Sequence, residues 1–116
     1  MTVSAGFRSY VLEQLGRVLS NVRSRSMFGG VGIYSGDLFF ALIDDDTLYF
    51  KVDDSTRPDF QSRNMTPFRP YGPEGEVMQY YCVPPELLDD VDLLGEWAQK
   101  AVEVARRARR RPSRRS

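Results

Sequence analysis

Apolar residues recur every three or four positions from Phe7 to Val22, then crowd together without helical period from Met27 to Val52. In the first segment Phe7, Tyr10, Val11, Leu15, Val18, Leu19 and Val22 fall on one stripe, with Arg8, Glu13, Gln14 and Arg17 opposite. This spacing predicts an amphipathic helix over residues 6–22, with Ser4 as its N-cap. In the second segment two short polar runs, Ser35-Gly36-Asp37 and Asp44-Asp45-Asp46, interrupt the apolar residues. These are turn chemistries, and they divide the segment into strands at 27–34, 38–43 and 47–52. Three consecutive strands with short connections predict an antiparallel meander.

Beyond Val52 the pattern shortens. Asp53-Asp54-Ser55-Thr56 opens a short helix running to about residue 63, with the N-cap at Ser55 or Thr56, Phe60 facing inward and Asn64 at its end. Residues 66–71 are extended and carry Pro67 and Pro70, which suits a sheet edge or bulge. A turn at 72–75 leads to a strand at 77–83, stopped by Pro84-Pro85. A helical turn at 86–90 follows, and then a helix from 93 to 109, capped by Asp92. Its inner stripe is Leu94, Trp97, Ala98, Ala101, Ala105 and Ala108. The order helix, three strands, helix, two strands, helix predicts a single α+β domain. One mainly antiparallel sheet carries helices mostly on one face, and Trp97 is expected to be buried against it.

Composition sets the function classes. The 116 residues suffice for one domain and contain no apolar run of membrane-spanning length. There is no histidine and a single cysteine, Cys82. Ser-His-Asp and Cys-His nucleophiles cannot be built within the chain, and zinc would need carboxylates alone. The lone cysteine and the start MTVSAGFRSY, which has no basic-then-apolar signal pattern, point to the cytoplasm. No cofactor is expected. A small enzyme would have to rely on a carboxylate pair with one raised pKa.

Zero net charge conceals a segregation. Seven of the sixteen basic residues, Arg106, Arg107, Arg109, Arg110, Arg111, Arg114 and Arg115, lie in the last eleven positions. Residues 1–105 keep nine bases against sixteen acids, a balance of −7. Residues 106–116 therefore read as an arginine-rich disordered tail on an acidic domain of residues 1–105. Those arginines are candidates for weak, sequence-independent contact with nucleic acid or another polyanion.

Several short motifs weigh little. Gly29-Gly30-Val31-Gly32 lacks the following helix that a dinucleotide site requires, and glycines inside a strand mark close packing instead. The run from Arg25 to Val31 is a poor match to the RNA-recognition strand motif. The three aspartates at 44–46 miss the glycine and glutamate of a calcium loop. Cys82, in an alternating strand, reads as a small buried hydrophobe.

The block SRSMFGGVGIYSGDLFFALIDDDTLYFKVDD at residues 24–54 carries a resemblance. With Pro67-Phe68-Arg69-Pro70-Tyr71, Tyr80-Tyr81-Cys82-Val83-Pro84 and Leu94-Gly95-Glu96-Trp97-Ala98, it resembles the N-terminal domain of TfoX/Sxy proteins over residues 6–105. The resemblance implies an α+β, secretion-chaperone-like fold. It also implies a non-enzymatic role in transcription, since these bacterial proteins regulate natural competence as coactivators with the cyclic-AMP receptor protein. Longer members carry a second domain where this chain has its arginines. The resemblance supplies no catalytic residue.

The functional expectation is a cytoplasmic protein-interaction module. Tyr34, Tyr49, Tyr71, Tyr80 and Tyr81 are too many for so small a core, and exposed tyrosines anchor interfaces. The expected partner is a protein of the transcription machinery, with weak nucleic-acid contact through the tail, no membrane, and a homodimer as a further option. The rival is a chaperone-like carrier of a peptide or effector.

Overall fold

A computed structural model of the protein describes residues 4–27, 29–70, 72 and 78–110, Arg110 by its backbone alone. The first helix, α1, spans Ala5–Val18, and the Ser4 hydroxyl accepts from the Phe7 amide at 3.2 Å as foreseen. It ends four residues earlier than its apolar rhythm suggests. Asn21 adopts a left-handed backbone (φ 54°), which turns the chain at once into a strand.

That strand, β1 (Val22–Met27), pairs antiparallel with β2 (Gly30–Ser35). The expected first strand at 27–34 is thus the tip and second arm of a hairpin. β1 escapes the hydrophobic pattern because it is an edge strand whose side chains are mostly polar: Arg23, Ser24, Arg25 and Ser26. β3 (Leu38–Asp44) and β4 (Thr47–Lys51) continue the meander. Asp45 and Asp46 both have φ 53°, the backbone of a two-residue type I′ hairpin turn.

A turn then leads into α2 (Arg57–Gln61), which buries Phe60, and Asn64 (φ 62°) ends the following turn. Thr56 holds the N-cap position, one of the two expected, but its side chain accepts no capping bond from α2; its hydroxyl accepts from the Asp53 amide at 3.1 Å. Of the strand expected at 66–71, the described residues 66–70 keep one isolated bridge between Pro67 and Tyr81, because proline supplies no amide for a ladder; residue 71 lies outside the described residues. Its partner, β5, is Tyr80–Cys82, shorter than the expected 77–83. A 3-10 turn (Pro85–Asp89) precedes α3 (Val91–Arg110), whose Leu93 amide is capped by the Asp90 carboxylate rather than by Asp92.

The five strands form one antiparallel sheet in the order β1-β2-β3-β4-β5, so the expected fold class holds. Among the described residues four strands precede α2 and one follows it, where three and two were expected. Helices α1 and α3 pack together on one face of this sheet. Val11, Leu15, Leu94, Ala98 and Ala101 meet Val31, Ile33, Phe40, Ile43 and Phe50 in a single buried core. A bulge between Ile33 and Tyr34 leaves Phe40 unpaired, so that Phe40 and Ala41 are both fully buried. Trp97 departs from expectation. It is half-buried, edge-on to Phe60 of α2 at 4.7 Å and beneath the Arg63 guanidinium, because its place on α3 faces α2 and not the sheet. Ala108, expected on the inner stripe, is exposed.

Candidate interaction face

Side chains alternate across a strand, so the sheet that buries one set of residues under α1 and α3 must present the other set on its helix-free face. Strand register defines that second set. One row crosses all five strands: Arg25 opposite Gly32, Gly32 opposite Leu42, Leu42 opposite Tyr49 and Tyr49 opposite Cys82. Beside it, Arg23 faces Tyr34, Tyr34 faces Phe39, and Lys51 faces Tyr80. Tyr34 and Phe39 stack at 5.1 Å, Phe39 and Tyr80 lie 5.8 Å apart, and Phe68 covers Tyr49 at 4.9 Å. The result is an aromatic band with arginines at the β1 end and an ammonium at the other.

Gly32 belongs to this packing. A Cβ there would lie 2.6 Å from the Met27 methyl and 3.1 Å from the Phe39 ring. The glycine lets those two side chains close over the strand, and no nucleotide-binding role is needed to explain it.

Of the tyrosines singled out above, Tyr34, Tyr49 and Tyr80 share this face. Tyr34 and Tyr49 are partly exposed, and Tyr80 is buried beneath its neighbours. Tyr81 does not join them. It points to the helix side, buried against Phe60 at 6.0 Å, and its hydroxyl accepts from Gln61. Tyr71 lies outside the described residues. Sequence reasoning missed Phe39, Leu42, Phe68, Arg23, Arg25 and Lys51. The run from Leu38 to Ile43 is apolar at every position, so alternation gave no signal of which side Phe39 and Leu42 take.

Burial shapes the ionisation of this face. It pushes the Tyr80 phenol up to about 12, with the neighbouring Tyr34 adding to the effect. It also raises Tyr49 and the Cys82 thiol and lowers Lys51. At neutral pH the phenols are therefore hydrogen-bond donors, and Cys82 is a thiol rather than a thiolate nucleophile.

The arginine cluster is placed differently from a free tail where it is described. α3 continues through Arg110. Arg106 pairs with Glu103 at 2.5 Å, Arg107 with Asp53 at 2.8 Å and Arg109 with Asp37 at 2.7 Å. The Arg110 side chain and Arg111, Arg114 and Arg115 lie outside the described residues.

Beside the Asp53 pair is an open cleft lined by Asp53, Asp54, Arg57, Gln79 and Arg107. Its two carboxylates do not form an acid–base pair. Asp54 binds Arg57 at 2.7 Å. Partial burial opposes ionisation of Asp53, but Arg107 and the hydroxyl and amide of Ser55 hold its carboxyl at about 2. A general acid needs a shift in the other direction. Among the described residues no group of His, Cys, Asp or Glu is arranged to hold a metal ion, and no helix is long and apolar enough to cross a membrane.

A family model for the TfoX N-terminal domain matches residues 13–105. The chain belongs to that family. The match runs from the middle of α1 to Ala105 in α3, and so covers the sheet, the aromatic band and the Asp53 side of the cleft, and stops before Arg107 and the rest of the arginine cluster. No curated protein sequence matches the chain.

Proposed function

We propose that this TfoX-type domain is a non-enzymatic protein-interaction module of the bacterial cytoplasm. It docks a partner on the helix-free face of its sheet and serves transcription as an accessory factor, in the manner its family serves natural competence. The observation that carries this reading is the aromatic band itself. Tyr34, Phe39, Leu42 and Tyr49 are partly exposed side chains on a sheet face that neither α1 nor α3 covers. Tyrosine and phenylalanine on a rigid sheet give large contact area with little side-chain entropy to lose, which is what interface anchors require.

The test is retention of purified RNA polymerase and of a cyclic-AMP receptor protein on the immobilised full chain. The comparison is Leu42→Gln, which places an amide at the centre of the face and leaves the core on the other side intact. We expect one of the two proteins to be held by the unaltered chain and at least tenfold less by the variant, with near-ultraviolet circular dichroism unchanged. Retention of neither, or equal retention by both chains, overturns the proposal.

A further inference from the structure

We propose that the free edge of β1 takes an extended acidic peptide from a partner protein as a sixth strand, its carboxylates facing Arg23 and Arg25. This rests on the reading of the domain as an interaction module and names the chemistry of what it binds.

Two independent observations meet at this edge. The first is an open ladder. β1 is the terminal strand and bonds only to β2. Among the described residues no further backbone hydrogen bond involves Val22–Met27. A six-residue strand with one unpaired side is a template for another strand.

The second is charge. Seven basic side chains, from Arg17 to Arg109, each have a carboxylate within 4.0 Å. Among the described residues Arg8, Arg23 and Arg25 have none, and all three converge on β1. Arg8 donates to Ser24 at 2.9 Å and to Ser26 at 3.3 Å. Arg23 donates to the Gly36 carbonyl at 2.7 Å and lies in the field of Asp37, which Arg109 already binds. Arg25 is exposed and forms no ion pair among the described residues. In a domain whose first 105 residues carry −7, an edge of three guanidinium groups without carboxylates is complementary to an acidic ligand.

Geometry narrows the ligand. Arg23 and Arg25 are two residues apart on one face of the sheet, roughly 7 Å along the strand, so acids two apart on an added strand come directly opposite them. A second copy of the chain is a poor occupant. Pairing β1 with itself about a two-fold axis centred on residue 23, 24 or 25 sets arginine against arginine, which is unfavourable. Nucleic acid is also a poorer match. Phosphates answer the guanidinium groups and the outward amides but leave the outward carbonyls unpaired, whereas a peptide strand satisfies both.

The experiment uses the full chain and two synthetic eight-residue peptides, one alternating threonine and glutamate and the other threonine and glutamine. Binding is read by fluorescence anisotropy, and protection of the β1 amides by hydrogen exchange. We expect the glutamate peptide to bind at least about fivefold tighter than its glutamine counterpart, from two cross-strand charge pairs, and to slow exchange in Val22–Met27. The exposed pair Arg23→Glu and Arg25→Glu should reverse the preference toward a threonine–lysine peptide. Equal binding of the two peptides, binding of neither, or protection elsewhere than β1 overturns the proposal. So does arginine-dependent binding of oligothymidylate where the glutamate peptide fails. If the peptide result is negative while Leu42→Gln still abolishes retention of the transcription protein, the edge proposal falls and the interaction-module reading stands.

Discussion

Lys51 and Tyr80 are register partners on β4 and β5, and the ammonium of the first lies 5.1 Å from the ring centroid of the second. Among the described residues no carboxylate lies within ion-pair distance of Lys51; the phenol ring is its partner, and partial burial lowers its pKa. A cation–π contact of this kind contributes about 0.5–1 kcal/mol, against the cost of partly dehydrating an ammonium. Lys51→Met keeps the apolar stem and removes the charge, and should lie within about 1 kcal/mol of the unaltered protein at pH 7. The sign of its pH dependence follows from the lowered folded-state pKa. The charged form is penalised in the fold, so the unaltered protein should gain stability relative to Lys51→Met as pH rises through that pKa toward the unfolded value. Urea denaturation of both proteins between pH 7 and pH 10 measures this.

Asp53 has the opposite linkage. Its folded carboxyl titrates at about 2, below the ordinary value of 3.8. The stability it contributes is complete above the unfolded pKa and is lost as pH falls from about 4 toward 2. Asp53→Asn should therefore flatten the acid limb of a stability–pH curve in that window. The loss should shrink at high salt, since the Arg107 partner is largely exposed.

The two strand glycines should differ in what they tolerate. A Cβ at Gly30 would lie 2.5 Å from the Ile43 carbonyl oxygen, which belongs to the backbone of β3. At Gly32 the first obstacle is the Met27 methyl, the flexible end of a side chain. Gly30→Ala should be destabilising by about 1–3 kcal/mol, and Gly32→Ala by less. Thermal or urea unfolding orders them, and an inverted order would contradict the packing of β2 described above.

Core truncation tests the bulge. Phe50 is fully buried, with the Phe40 ring 5.9 Å away. Phe50→Ala should cost about 3–5 kcal/mol. Trp97→Ala should cost less than that, because the indole is only half-buried.

Cys82 should react slowly with iodoacetamide at pH 7 in the folded protein and rapidly in denaturant. Burial raises its thiol, which leaves little thiolate at neutral pH. Alkylation timed by mass spectrometry reads this directly.

The sequence by itself determined the α+β class, the two tight turns, the Ser4 cap, Phe60 as an anchor, the absence of histidine chemistry and the segregation of charge. Each of these depends on neighbours in the chain: an apolar period, a residue's own φ preference, or a count. It could not determine β1, since a polar edge strand has no hydrophobic alternation to read and is held by pairing with β2. Nor could it decide the facing of a continuously apolar strand. Tyr81 and Tyr80 are adjacent and chemically alike, yet one packs under the helices and the other joins Phe39 on the open face. The arginines show the same division. Their number is a property of the sequence, but only the tertiary structure brings Asp37, Asp53 and Glu103 to three of them. It likewise leaves Arg8, Arg23 and Arg25 together with no carboxylate in ion-pair reach among the described residues, because ion pairing depends on distances of a few ångströms between residues far apart in the chain.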